Sequence, residues 1–154
     1  MHKASYQVVV HFFTNHLELL FLKFESNLIE AILSLLVNGM SGATFEMQSE
    51  CCTCINHFNE FVIDKLNSTS HKHQELIRSV RDFCSKNGGV FQKFLNEALF
   101  IVLFEDSRNV WIFQKVLFST MIIANQQGCN LQMLISQLMD THEKDEQRKR
   151  VILE

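Results

Sequence analysis

Cys51, Cys52 and Cys54 stand together in the chain, with His57 about one helical turn further on. Thiols and an imidazole are the side chains that bind soft metals and carry redox or nucleophilic chemistry. If the stretch is helical, Cys51, Cys54 and His57 recur at i, i+3 and i+6 on one side, so a bound metal is the first chemistry to weigh. Structural zinc takes four ligands, and the Cys51-x-x-Cys54 pair has no second pair at the usual spacing; Cys84, His71 and His73 do not complete a set. A thioredoxin-type dithiol needs an adjoining βαβ pattern, which the sequence lacks. The plainer reading is small, apolar thiols in a helical core. The other histidines are scattered, and no nucleophile, base and orienting carboxylate recur at a spacing that one helix or turn would bring together. The sequence therefore assigns no catalytic residue, no cofactor and no metal ligand, and the chain reads as non-enzymatic.

A second constellation is Leu103-Phe104-Glu105-Asp106-Ser107-Arg108-Asn109-Val110-Trp111. Five consecutive polar residues separate two strongly apolar stretches, and Asp106 or Ser107 can offer the side-chain oxygen that caps a new helix. Residues 90–124 are thus predicted to form an antiparallel helical hairpin, around which the rest of the chain is organised. In a structural reading Asp106 caps, Arg108 pairs with Glu105 or a neighbouring hairpin, Asn109 bonds open backbone groups and Trp111 fills the seam between hairpins. In a functional reading Glu105, Asp106 and Arg108 face a partner from the loop edge. A tight capped turn explains the same residues, and the structural reading is preferred.

The elements that must position these groups are helical. There is no proline, where average usage of about 5% would give several, and this favours long uninterrupted helices. Residues 4–24 place Val8, Phe12, Phe13, Leu17, Leu20, Phe21 and Phe24 at mixed three-and-four spacing, interrupted at Thr14-Asn15. A second helix is predicted from a cap at Ser26 or Asn27 to Asn38-Gly39, with Gly39 and Gly42 as the hinge before the next helix pair. A third runs from Thr44 to about Leu66. After the polar break Asn67-Ser68-Thr69-Ser70, a fourth covers residues 71–86 with Leu76, Ile77, Val80 and Phe83 as its apolar ridge. Asn87-Gly88-Gly89 stops it, about one repeat period beyond the Gly39 stop for solenoids whose helix pairs recur every ~40–47 residues. The hairpin supplies helices five and six; a further amphipathic segment, Cys129 to Met139, precedes the charged run Glu143 to Arg150. The fold expected is all-α: a HEAT/armadillo-like α-solenoid of about three stacked antiparallel hairpins plus a terminal helix, over residues 1–140. Residues 141–154 form a charged tail, helical or frayed.

Bulk properties narrow the classes. A chain of 154 residues folding as one domain hides about 70% of its extended surface, and the 47% hydrophobic fraction with fourteen Phe makes nearly every helix seek an apolar neighbour. A formal net charge of −3 gives no basic field for nucleic acid, so the expected partner is protein. Five cysteines, odd in number and mostly in apolar surroundings, suit a reducing compartment better than a disulfide framework, and the sequon Asn67-Ser68-Thr69 is then expected to stay unglycosylated. The longest apolar run, Ala98 to Phe104, is far short of the ~20 residues a bilayer requires, and polar residues interrupt any signal-peptide core, so a soluble intracellular chain without membrane insertion is expected.

Two stretches resemble a known family. Phe104-Glu105-Asp106-Ser107-Arg108-Asn109-Val110-Trp111 resembles the FEDCRNQW corner near the C-terminus of exportin-7 and its close Ran-binding relatives in the importin-β (karyopherin) superfamily, with Ser107 for cysteine and Val110 for glutamine. Cys51-Cys52-Thr53-Cys54-Ile55-Asn56-His57 resembles that family's CCSCLDH segment, at a similar distance before the corner. The likeness covers roughly residues 3–125. It marks Phe104, Glu105, Asp106, Arg108, Asn109 and Trp111 as signature corner residues and Cys51, Cys52, Cys54 and His57 as a signature helix. What it implies is the C-terminal segment of a nuclear export receptor, which binds cargo protein in a Ran-GTP-dependent manner and passes through nuclear pores by contacting Phe-Gly nucleoporins. Ran contacts would lie in repeats absent from this chain, and the implied location is cytoplasm, nucleus and nuclear pore complex. The alternative is a stand-alone helical scaffold or interaction module without transport activity.

Overall fold

The computed structural model describes the backbone of residues 3–42, 44–69, 73–104, 110–128 and 130–153, and side chains from residue 8 to residue 144 within those spans. Among the described residues there are eight α-helices and no strand. The helices are α1 (Lys3–Asn15), α2 (Leu17–Lys23), α3 (Ser26–Met40), α4 (Phe45–Asn67), α5 (Gln74–Lys86), α6 (Gly88–Phe104), α7 (Phe113–Gln126, entered through a 3₁₀ turn at Val110–Ile112) and α8 (Leu131–Leu153).

Local chemistry explains the breaks. Thr14 Oγ1 donates to the Val10 carbonyl at 2.8 Å and Asn15 Nδ2 to the His11 carbonyl at 3.2 Å, so polar side chains compete for the helix's own acceptors just where α1 gives way to α2 at His16. Thr44 caps α4, its hydroxyl accepting from the Met47 amide at 3.3 Å. Other boundaries depart from the expected ones. Ser26 is already inside α3, whose cap position is Glu25 in extended backbone with no side-chain cap bond. Gly39 is buried within α3, and the chain reverses at Ser41-Gly42 instead. Asn87 alone ends α5, its amide and its side chain both donating to the Phe83 carbonyl, while Gly88 and Gly89 form the first turn of α6. Gly128, with φ 76°, ends the α7 corner as a left-handed glycine should. The charged run after Met139 continues α8.

Helices pack chiefly on their sequence neighbour across a corner and on the helix three places later. The α3–α4 and α6–α7 pairs have the most extensive neighbour contacts, so the Gly42 corner lies inside a packed pair and not between pairs. Gly88 at the start of α6 faces the Gln127 side chain just past the end of α7, which makes α6–α7 the antiparallel hairpin predicted over residues 90–124. Between these pairs, α1 lies on α4, α2 on α5, α3 on α6 and α4 on α7. Phe13 meets Phe58 across α1–α4 (ring centroids 6.0 Å) and Phe21 meets Phe83 across α2–α5 (5.6 Å). Lys93–Glu30 at 3.8 Å and a Ser41–Glu97 hydrogen bond tie α6 to α3 and the corner after it.

The core is aromatic at its centre. Phe58 on α4 is fully buried and contacts the rings of Phe13, Phe21, Phe83 and Phe91, drawn from four other helices. Edge-to-face and offset contacts of this kind add ~0.5–1.5 kcal/mol per pair beyond area burial. The inward row of α1 and α2 (Phe13, Leu17, Leu20, Phe21) is therefore covered within the chain, while Val8, Leu19, Leu22 and Phe24 remain on the outside. A separate cluster of Leu95, Leu99, Ala124 and Leu134 seats α8, and His142 stacks flat on Phe104 with centroids 4.0 Å apart.

Candidate protein-interaction groove

A groove of about 410 Å³ runs between α4 and the start of α7. Its α4 side is the polar stripe Ser49, Thr53, Asn56, His57 and Glu60, residues that recur at helical spacing opposite the core-facing stripe. Cys52 supplies an apolar patch within it, and Trp111, Ile112, Gln114 and Lys115 form the other wall. Asn56 Nδ2 donates to Glu60 Oε1 at 2.9 Å, which orients that carboxylate along the rim. Trp111 is 61% exposed and its ring lies 6.1 Å from that of Phe45, itself 43% exposed. The expectation that Trp111 fills a seam between hairpins is thus corrected: the largely exposed indole stands at the mouth of the groove.

Beneath the groove α4 and α7 are joined by a buried polar contact. Asn59 is completely buried and its Nδ2 donates to Ser119 Oγ at 3.1 Å and Thr120 Oγ1 at 2.8 Å. Ser119 in turn donates to the Val116 carbonyl at 3.2 Å. Asn59 Oδ1 is buried with no hydrogen-bond partner. A buried amide of this kind fixes the register of the two helices at some expense in stability. Sequence reading passed over it, although a polar residue beside Phe58 and Val62 on an apolar stripe was the available signal.

The signature cysteines part company in space. Cys51 and Cys54 are fully buried in the main core, whereas His57 turns to the groove, so the three do not converge on one point. Burial, reinforced by the neighbouring thiols, pushes Cys52 and Cys54 up to about 12 from an ordinary 9.0; burial does the same for Cys84. Such thiols are protonated at neutral pH and act as apolar packing groups, not nucleophiles. Among the described residues no three His, Cys, Asp or Glu side chains gather as a metal-binding group. None of their helices is long and apolar enough to cross a membrane.

Of the corner residues, Phe104 ends α6 under His142 and Trp111 lines the groove; Glu105, Asp106, Ser107, Arg108 and Asn109 lie outside the described residues, as do His71 and Cys129. Cys52 and His57 from one signature stretch and Trp111 from the other, far apart in the chain, meet in the same groove. No protein-family model matches the chain, and no solved structure does.

Proposed function

We propose that this chain is a protein-binding helical module acting as the C-terminal segment of an exportin-7-like nuclear export receptor. In this reading its helices are the last repeats of a HEAT/armadillo-like solenoid that binds cargo protein in a Ran-GTP-dependent manner, Ran being held by repeats outside this chain. It shuttles between nucleus and cytoplasm and engages Phe-Gly nucleoporins at the pore. Support comes from the resemblance of the two signature stretches, and above all from their meeting in one groove between α4 and α7. The packing of α4, α5, α6 and α7 on the helix three places earlier is compatible with stacked repeats. Ran and cargo would then be linked reciprocally, each altering the affinity for the other.

A stand-alone helical scaffold is the second reading. It is favoured by one observation: the inward row of α1 and α2 is buried against α4 and α5 within this chain, which leaves little of that row for a preceding repeat to cover. The two readings part in permeabilised cells. Fluorescent chain should collect at the nuclear rim, be displaced by an excess Phe-Gly nucleoporin fragment, and bind less after Trp111→Ala. Diffuse staining insensitive to the fragment and to the substitution would leave the scaffold as the account.

A further inference from the structure

The segment leaving α4 and the outer face of α5 enclose an open cavity of about 460 Å³. Thr69, Arg78 and Arg81 line it together, with Ser68 and Asp82 beside them. Arg78 and Arg81 are both exposed, sit one turn apart on α5 and form no ion pair with a carboxylate among the described residues. Two unpaired guanidinium groups against one carboxylate leave the cavity net positive, on a chain whose formal net charge is −3. Guanidinium groups are the side chains best matched to phosphate oxygens, through paired N–H donors in a fixed fork.

The same cavity holds an exposed hydroxyl that can carry such a phosphate. Thr69 is exposed and follows the end of α4, within the polar break that the sequence sets between α4 and α5. We propose that Thr69 is a phosphorylation site whose phosphate docks on Arg78 and Arg81. A protein kinase would transfer the γ-phosphoryl group of a nucleoside triphosphate: the bond from Thr69 Oγ1 to phosphorus forms, the bridging bond to the diphosphate breaks, and the hydroxyl proton passes to the kinase's base. The product carries about −1.5 to −2 charges at neutral pH and three acceptor oxygens, enough to engage both arginines.

The test uses the full chain with phosphothreonine encoded at position 69, alone and with Arg78→Gln/Arg81→Gln. Phosphorus NMR reads the second ionisation of the phosphate directly. It should fall about one pH unit lower with both arginines present than without them, because an adjacent cation favours the dianion. Lys86→Gln, which removes a like charge further along α5, should leave it in place. Equal ionisation in the arginine and glutamine backgrounds overturns the docking. Chain isolated from cells under phosphatase inhibition should yield the Thr69 phosphopeptide by mass spectrometry, and its absence overturns the modification. Inorganic phosphate titrated into the unmodified chain should shift the Arg78 and Arg81 side-chain resonances only weakly. Saturation at low millimolar concentration instead assigns the cavity to phosphate from solution and overturns the role of Thr69.

Discussion

At the scale of single residues, the buried thiols make the sharpest statement. Cys52, Cys54 and Cys84 keep their protons to about pH 12 in the folded chain, against 9.0 ordinarily. Their contribution to stability is intact below pH 9 and is lost as pH climbs toward 12, at up to ~1.4 kcal/mol per pH unit for each thiol. Urea midpoints should therefore decline over that window, and Cys84→Ala, though less stable at neutral pH, should decline less steeply. Parallel slopes for the two proteins contradict the thiol origin. Asn59 offers a second test. Truncation to Ala strips the Ser119 and Thr120 hydroxyls of their donor and is expected to lower stability by ~1–3 kcal/mol in denaturant titration. Asn59→Leu combined with Ser119→Ala and Thr120→Val should recover most of that loss, since matched apolar replacement removes both sides of the polar contact. Trp111→Ala should change stability by no more than ~0.5 kcal/mol, because the indole is largely solvated. A loss of several kcal/mol would restore the seam-filling role that the sequence suggested. Composition made the thiols legible as core; it could not say that Trp111 faces out, because an aromatic after a polar corner fits a seam and a rim equally well.

Among the elements, α4 carries the fold. It touches α1, α3, α5 and α7, and Phe58 at its middle meets rings from α1, α2, α5 and α6. Phe58→Ala should cost about 3–5 kcal/mol, seen as a fall in Tm of roughly 10 °C for a chain of this size. The corner before α4 is tight as well. A methyl group on Gly42 would run into the Met47 side chain and come within 2.8 Å of the Gly39 carbonyl oxygen, so Gly42→Ala forces the α3–α4 corner to shift. Helix identities were readable because three-and-four spacing of Phe, Leu and Ile leaves one consistent pattern. Glycine was the weaker guide. Gly39, Gly88 and Gly89 all lie within helices, where packing and neighbouring hydrogen bonds outweigh a modest propensity penalty, while Asn87 ends α5 with its own side chain.

For the whole molecule, an all-helical chain was legible from the absence of proline and the periodicity, but the order of stacking was not. Pairing helices in sequence order places the Gly39–Gly42 stretch between hairpins; in the molecule α3 and α4 are one packed pair, and α1 to α4 each rest on the helix three places later. That choice depends on which aromatic rings meet at Phe58, a tertiary fact that spacing along one helix does not encode. The convergence of Cys52, His57 and Trp111 in the α4–α7 groove follows from the same stacking.

Capture on Ran loaded with GTP or GDP tests the transport account most directly, applied to this chain and to the longest product of its locus. We expect the long product to be retained on Ran-GTP and not on Ran-GDP, with this chain alone retained on neither. Equal retention on both nucleotide states, or a long product that ignores Ran altogether, contradicts export-receptor function and leaves a helical scaffold.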